Sequence, residues 1–285
     1  MDESSASSTA PPAPAGDPVE ATAAPSASPP AAELEESPDP AEVVWPGPAV
    51  LVLGVPTAVN LDVQPDRRVV VELAAYLACH PESPRTAEQI QAALWPLTGS
   101  KGDVSLDTVR QHLSRLRRCI GEANLPDAAR AGGYRLGEKV SSDWMRFQAL
   151  AEAARRAEGT RSAGLRRDAL ALVRGAPFSG VPSGTYGWAW EELLVAQMEA
   201  AVADVAHRLA VEELGAGRPR LAEWATGRGL LVVPTDETLL ADRMAAAREL
   251  SGRPGLDRAW RDARAVLGDQ ADSGPLAEIY DRLAR

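Results

Sequence analysis

The chain of 285 residues has little from which to build a redox, metal or membrane device. Its two cysteines, Cys79 and Cys119, lie 40 positions apart inside apolar patterns, which points away from a disulfide framework and toward a reducing cytoplasm. The three histidines, His80, His112 and His207, are scattered. No HExxH, paired CxxC or GxxxxGK[ST] pattern occurs, so the sequence offers no metal ligand set, no catalytic residues, no phosphate loop and no cofactor. No run of about 18 apolar residues is present, which predicts no membrane segment. The amino terminus lacks a basic stretch followed by an apolar core, and so does not read as a signal peptide.

Positive charge is missing from one region altogether. Residues 1–45 hold nine acidic side chains and no Lys or Arg, within Ala, Pro, Ser and Glu-rich runs such as APPAPAGDP. That composition cannot bury enough apolar surface to offset ordering entropy, and predicts a disordered acidic tail or linker. The net charge of −10 is therefore mostly the tail's: residues 46–285 carry 30 basic and 31 acidic groups.

Pattern begins near Trp45. Ala49–Leu53 and Thr57–Leu61 are strand-like runs split by Gly54 and Pro56, which suggests a small antiparallel sheet. Asp66–Cys79 has helical spacing, although Val69–Val71 would also suit a strand. Thr86 and Gln89 form a potential capping box ahead of Ile90, Ala93 and Leu94, and Pro96 closes that helix. Leu97–Asp103 reads as a loop. Ser105–Ile120 is the most informative stretch. Ser105 is placed to cap it, Asp107 suits its positive end, Arg117 and Arg118 suit its negative end, and Gly121 stops it. Val109, Leu113, Leu116 and Ile120 define one buried face. The other face carries Thr108, Arg110, Gln111, Ser114, Arg115 and Arg118. The Gly-rich segment 131–136 suits a tight hairpin. From Ser142 onward the pattern is almost wholly helical, near 142–157, 162–174, 188–215, 218–231, 235–250, 255–267 and 275–284. Antiparallel helix pairs of this length suit a helical-repeat array.

The remaining signals read as structural. The Gly180–Gly187 loop has no following Lys-Ser/Thr and is expected to pack Tyr186 and Trp188. His207 suits a core edge, Cys119 packing, and the seven tryptophans core anchors.

A helix bearing Arg, Gln, Ser and Thr on its open face is what major-groove reading requires. Arg pairs with guanine, Gln with adenine, and hydroxyls hold phosphates. The layout between 86 and 136 is that of a winged helix-turn-helix. Thr108–Arg117, with the S-R-L-R-R run at Ser114–Arg118, resembles the recognition helix of the OmpR/PhoB-type domain in actinobacterial SARP-type regulators. Arg130-Ala-Gly-Gly-Tyr-Arg-Leu136 resembles that family's wing, and Gln91-Ala-Ala-Leu-Trp95 the end of its second helix. Ser142–Phe147, Ala169–Gly175 with Pro177, and Trp188–Leu193 resemble the TPR-like bacterial transcriptional activator domain that follows it.

The resemblance implies a mainly α chain. A tail (1–45) would precede a winged-helix domain with a small β-sheet (46–140) and a TPR-like helical domain (141–285). It implies a cytoplasmic, non-enzymatic regulator that binds double-stranded DNA and uses its helical array to dimerise or to touch RNA polymerase. Arg130 and Arg135 of the wing join the six recognition-helix residues as its DNA contacts. Three features depart from the family. Pro126 lies where the strand before the wing belongs, the first helix lacks a SARP-like opening, and residues 46–147 carry 12 basic against 11 acidic groups. A near-neutral domain releases few counterions on DNA. The sequence therefore keeps open a second reading, a protein-interaction scaffold that retains the fold without DNA binding, or the soluble end of a larger protein.

Overall fold

A computed structural model describes residues 43–96 and 104–285. The expected tail through residue 42, and the expected loop at 97–103, lie outside the described residues. Strand β1 (Ala49–Leu51) pairs antiparallel with β2 (Thr57–Val59) in the register Ala49↔Val59 and Leu51↔Thr57. It also pairs in parallel with β3 (Ser141–Ser142), Ala49↔Ser141, giving the order β2-β1-β3. Three helices follow the first hairpin: α1 (Arg68–Cys79), α2 (Ala87–Leu94) and α3 (Leu106–Ile120). Helical periodicity prevails over the β-branched run at 69–71, because Val70, Leu73, Ala74 and Leu77 all face one core. The capping box of α2 forms as expected, with the Gln89 N–H donating to Thr86 Oγ1 at 3.2 Å and the Thr86 N–H to Gln89 Oε1 at 2.9 Å.

The hairpin expected at 131–136 does not form. Glu122–Asn124 is a 3₁₀ turn, and Ala128–Ala131 is a short helix, α4. Pro126 has no N–H for a ladder, and the Asp127 side chain accepts from the Ala129 N–H at 3.0 Å, which caps a helix instead of starting a strand. Gly132, at φ 69°, ends that helix in the left-handed conformation. What remains of the wing is one antiparallel bridge, Arg85↔Tyr134, with N···O distances of 2.9 and 2.8 Å.

The C-terminal part contains α5 (Asp143–Arg156), α6 (Gly159–Ala171), α7 (Gly187–Glu191), α8 (Leu194–Gly215), α9 (Pro219–Leu230), α10 (Glu237–Leu267), α11 (Gln270–Ser273) and α12 (Pro275–Ala284). The helix expected at 188–215 is broken by Leu193 at φ 59°. α10 bends at Gly252, φ 62°, so its two halves pack as separate rods. The fold is thus mainly α, a winged helix with a small sheet followed by a helical array. One apolar core runs from Leu53 and Leu73 through Phe147, Phe178 and Trp188 to Met198 and Leu239. A smaller core joins Leu240, Met244, Leu256 and Leu276.

Close helix approach depends on Gly229. A Cβ built there would lie 2.6 Å from Leu239 Cδ1 and 2.8 Å from Ala206 Cβ. Gly229→Ala is expected to cost about 1–3 kcal/mol by overpacking. In thermal unfolding that is a fall of about 2–4 °C per kcal/mol. An unchanged midpoint would mean that α8, α9 and α10 are not packed this tightly.

Where the sheet meets the array, Asp143 forms a clamp. It is 1% exposed. Its carboxylate accepts from Val52 N at 2.8 and 3.0 Å, Leu53 N at 2.9 Å and Trp144 N at 2.8 Å, with Arg174 Nη2 at 3.6 Å. The backbone of the array completes the join: Arg174 N–H donates to Leu53 O at 2.8 Å and Phe178 N–H to Val52 O at 3.1 Å. Gly54, at φ 143°, brings its backbone close to Arg174 here.

Candidate nucleic-acid interface

The helix α3 is built to hold one face in and one face out. Ser105 Oγ accepts from the Thr108 N–H at 3.3 Å, and Asp107 lies in the first turn, where exposed N–H groups favour an anion. Gln91 Nε2 donates to the carbonyl of Val104, which fixes the start of α3 against α2. Val109, Leu113, Leu116 and Ile120 are each at most 2% exposed, so the expected buried face is realised. Arg110, Gln111, Ser114 and Arg118 are exposed, and Thr108 and Arg115 are half-buried beside them. Spacings of three and four residues place these six along one side of the rod.

Each arginine has a distinct environment. Arg110 Nη1 lies 2.9 Å from Asp107 Oδ1, but both side chains are more than half exposed, so the pair is weak and readily exchanged. Arg118 makes no hydrogen bond or ion pair with the described residues. Arg117 is committed to the fold: its Nε donates to Leu125 O at 2.8 Å and its Nη2 to Pro126 O at 3.1 Å. That anchor holds the segment leading into α4 against the end of α3.

His112 was not among the expected site residues, and the structure gives it a positioning role. It is 7% exposed, and its ring stacks on Trp95 at 5.8 Å between centroids and 15° between planes. Its Nδ1 lies 3.3 Å from Arg115 Nη1, so a neutral ring can accept from that guanidinium. Burial first, then the charges of Arg115 and Arg67, push the imidazole below its ordinary value. The folded ring therefore binds a proton more weakly than the unfolded chain does. Its contribution to stability is complete above the ordinary histidine value, about 6.5, and is lost as pH falls below it. The melting temperature of His112→Gln is expected to fall less than that of the natural chain between neutral pH and about pH 5; equal falls would contradict this assignment. Arg67, at the start of α1, also belongs to this electrostatic neighbourhood, which the sequence reading missed.

The turn after β2 meets the other end of α3 through its backbone. Asp62 N–H donates to Cys119 O at 2.8 Å. The buried Cys119 thiol is pushed up by burial and by Asp66, with Arg118 opposing. Of the two wing residues, Arg135 is exposed but borders a cavity of about 280 Å³ shared with Leu77, Pro126 and Met145, and is not part of the α3 face. The Arg130 side chain lies outside the described residues.

Among the described residues no group of three or more His, Cys, Asp or Glu could hold a metal ion. No described helix is long and apolar enough to cross a membrane. His207 is partly exposed, with Nδ1 2.6 Å from Asp242 Oδ2. In the Gly180–Gly187 loop Tyr186 packs as expected, its N–H donating to Glu72 Oε1 at 2.7 Å.

No protein-family model matches the chain, and no curated protein sequence matches it. Among solved structures it is similar to EmbR of Mycobacterium tuberculosis, determined in complex with a low-affinity phosphopeptide. The TM-score is 0.59 at 19% identity, over 83% of this chain and 64% of that one. The chain therefore corresponds to less than two thirds of EmbR's length. At that identity the likeness concerns fold alone, a small-sheeted winged helix joined to a helical array.

Proposed function

We propose that the chain is a DNA-binding transcriptional regulator. In this reading residues 46–140 form the DNA-binding module and 141–285 an activator module of TPR-like helix pairs. α3 enters the major groove, with Arg115 and Gln111 toward base edges and Thr108, Ser114, Arg110 and Arg118 toward phosphates and the groove rim. Arg130 and Arg135 contribute from the reduced wing. The helical array mediates self-association or contact with RNA polymerase, and the site of action is the cytoplasm. The observation that carries the reading is the open face of α3: its guanidinium groups are neither held by buried carboxylates nor covered by the helical array. Selection of a randomised duplex library by the full chain at low salt tests it. A recurring sequence is expected among the retained duplexes; retention without enrichment of any sequence contradicts specific reading.

A scaffold without DNA binding has two observations in its favour, the missing wing hairpin and the acidic residues Asp62 and Asp66 at the C-terminal end of α3. It predicts no duplex retention at all, together with capture of a protein partner by the helical array.

A further inference from the structure

We infer that the chain has a binding site for a small apolar anion between the winged helix and the helical array. A cavity of about 350 Å³ opens where the turn after β1, the start of α1, the end of α2 and the 180–186 loop converge. Its size falls in the range of small-ligand sites, which are mostly apolar with a few polar groups that orient the ligand. Val55, Val69, Trp95, Val181 and Pro182 supply apolar wall. Val55 is 56% exposed, an apolar side chain left in water at the mouth.

Two charged side chains border the cavity, and their states differ. Glu72 is 3% exposed and accepts from the Tyr186 N–H at 2.7 Å, so its carboxylate is already engaged in holding the loop. Tyr186 sits at φ 57°, a conformation that non-glycine residues seldom adopt and that this bond helps to hold. Arg68 is exposed and makes no hydrogen bond or ion pair with the described residues. An apolar hollow with one open guanidinium at its edge selects a ligand with an apolar body and a carboxylate or sulfonate head. Glu72 is buried in the wall and Arg68 is exposed, so the charge open to an entering ligand is that of the guanidinium.

The cavity also adjoins the α3 face through one side chain. Trp95 forms part of its wall and stacks on His112, which in turn accepts from Arg115. A ligand against Trp95 therefore touches the ring on which His112, the positioning group of a proposed DNA contact, is stacked. This coupling rests on the DNA-binding reading; the binding site does not.

Calorimetric titration of the full chain with 2-naphthoate, and with the neutral isostere 2-naphthamide, tests the site. Naphthoate is expected to bind saturably at one per chain, and more tightly than the amide. Arg68→Gln, a surface change that leaves the core intact, is expected to weaken naphthoate about tenfold and leave the amide unchanged. No saturable naphthoate binding, equal affinity for the two compounds, or indifference to Arg68→Gln overturns the inference. Repeating the titration with a retained duplex present separates the two claims. A naphthoate affinity that is unaltered by bound duplex overturns the coupling alone.

Discussion

Asp143→Ala is expected to be among the most destabilising single changes in the chain, costing about 3–5 kcal/mol. The carboxylate lies wholly inside the protein and accepts from three backbone N–H groups, those of Val52, Leu53 and Trp144. Truncation leaves the Val52 and Leu53 donors buried without a partner at the point where the strand β1 leaves the sheet, and unmade buried hydrogen bonds cost more than made ones contribute. At about 2–4 °C per kcal/mol for a chain of this size, the thermal midpoint should fall by roughly 6–20 °C. Burial raises the carboxyl to about 6 despite those donors and the nearby Arg174. The folded chain thus holds this proton more tightly than the unfolded chain. Its protonation therefore favours the fold below the ordinary aspartate value, and that advantage is lost as pH rises through about 6. Asp143→Asn should keep part of the clamp through its single amide oxygen and remove this pH dependence, so its destabilisation relative to the natural chain should shrink as pH rises from 5 to 7. Midpoints measured across that range decide it, and a loss of less than 1 kcal/mol in the Ala variant would show that the clamp is dispensable.

Replacing Arg115 and Arg118 together by Ala is expected to have the largest effect on DNA affinity. One guanidinium is held in place by His112, and the other is open at the last turns of α3. Charged arginine contacts to a base or a phosphate are worth about 1–3 kcal/mol each, so the pair should account for roughly 2–6 kcal/mol, between about 30-fold and 25,000-fold in affinity. Neither side chain belongs to the buried face of α3, so the thermal midpoint should change little. The pair differs in this from Arg117, whose bonds to the Leu125 and Pro126 carbonyls make its removal a stability change. Polarisation titrations and melting curves of the same preparations separate the two effects. A double variant that binds as tightly as the natural chain would remove α3 from the interface.

Much of this architecture is legible locally. The Thr86–Gln89 box, the Ser105 cap and the four-three-four spacing of Val109, Leu113, Leu116 and Ile120 involve residues within a turn or two of each other, where sequence order is nearly spatial order. The same holds for the positions that face outward from α3. The wing is less legible, because a Gly-Gly-Tyr run signals a turn but not its partner strand. Pro126 and Asp127 decided the matter by favouring a capped helix over a ladder. Leu193 carries no signal for its left-handed backbone, which arises only from how α7 meets α8. The Asp143 clamp joins groups about 90 positions apart. The Trp95–His112 stack joins groups on different helices. Such contacts follow from the assembled fold, and an isolated histidine or aspartate in the sequence gives no hint of them.

The proposed function requires that the open side of α3 bind the DNA backbone and bases. The direct measurement is the affinity of the full chain for one library-selected duplex across a salt series. The affinity is expected to fall linearly on logarithmic axes, with a slope set by the number of phosphates contacted, and to remain well above that for a scrambled duplex at every salt concentration. Absence of salt-sensitive binding to any duplex would contradict it, and would leave the helical array as the functional surface of the chain.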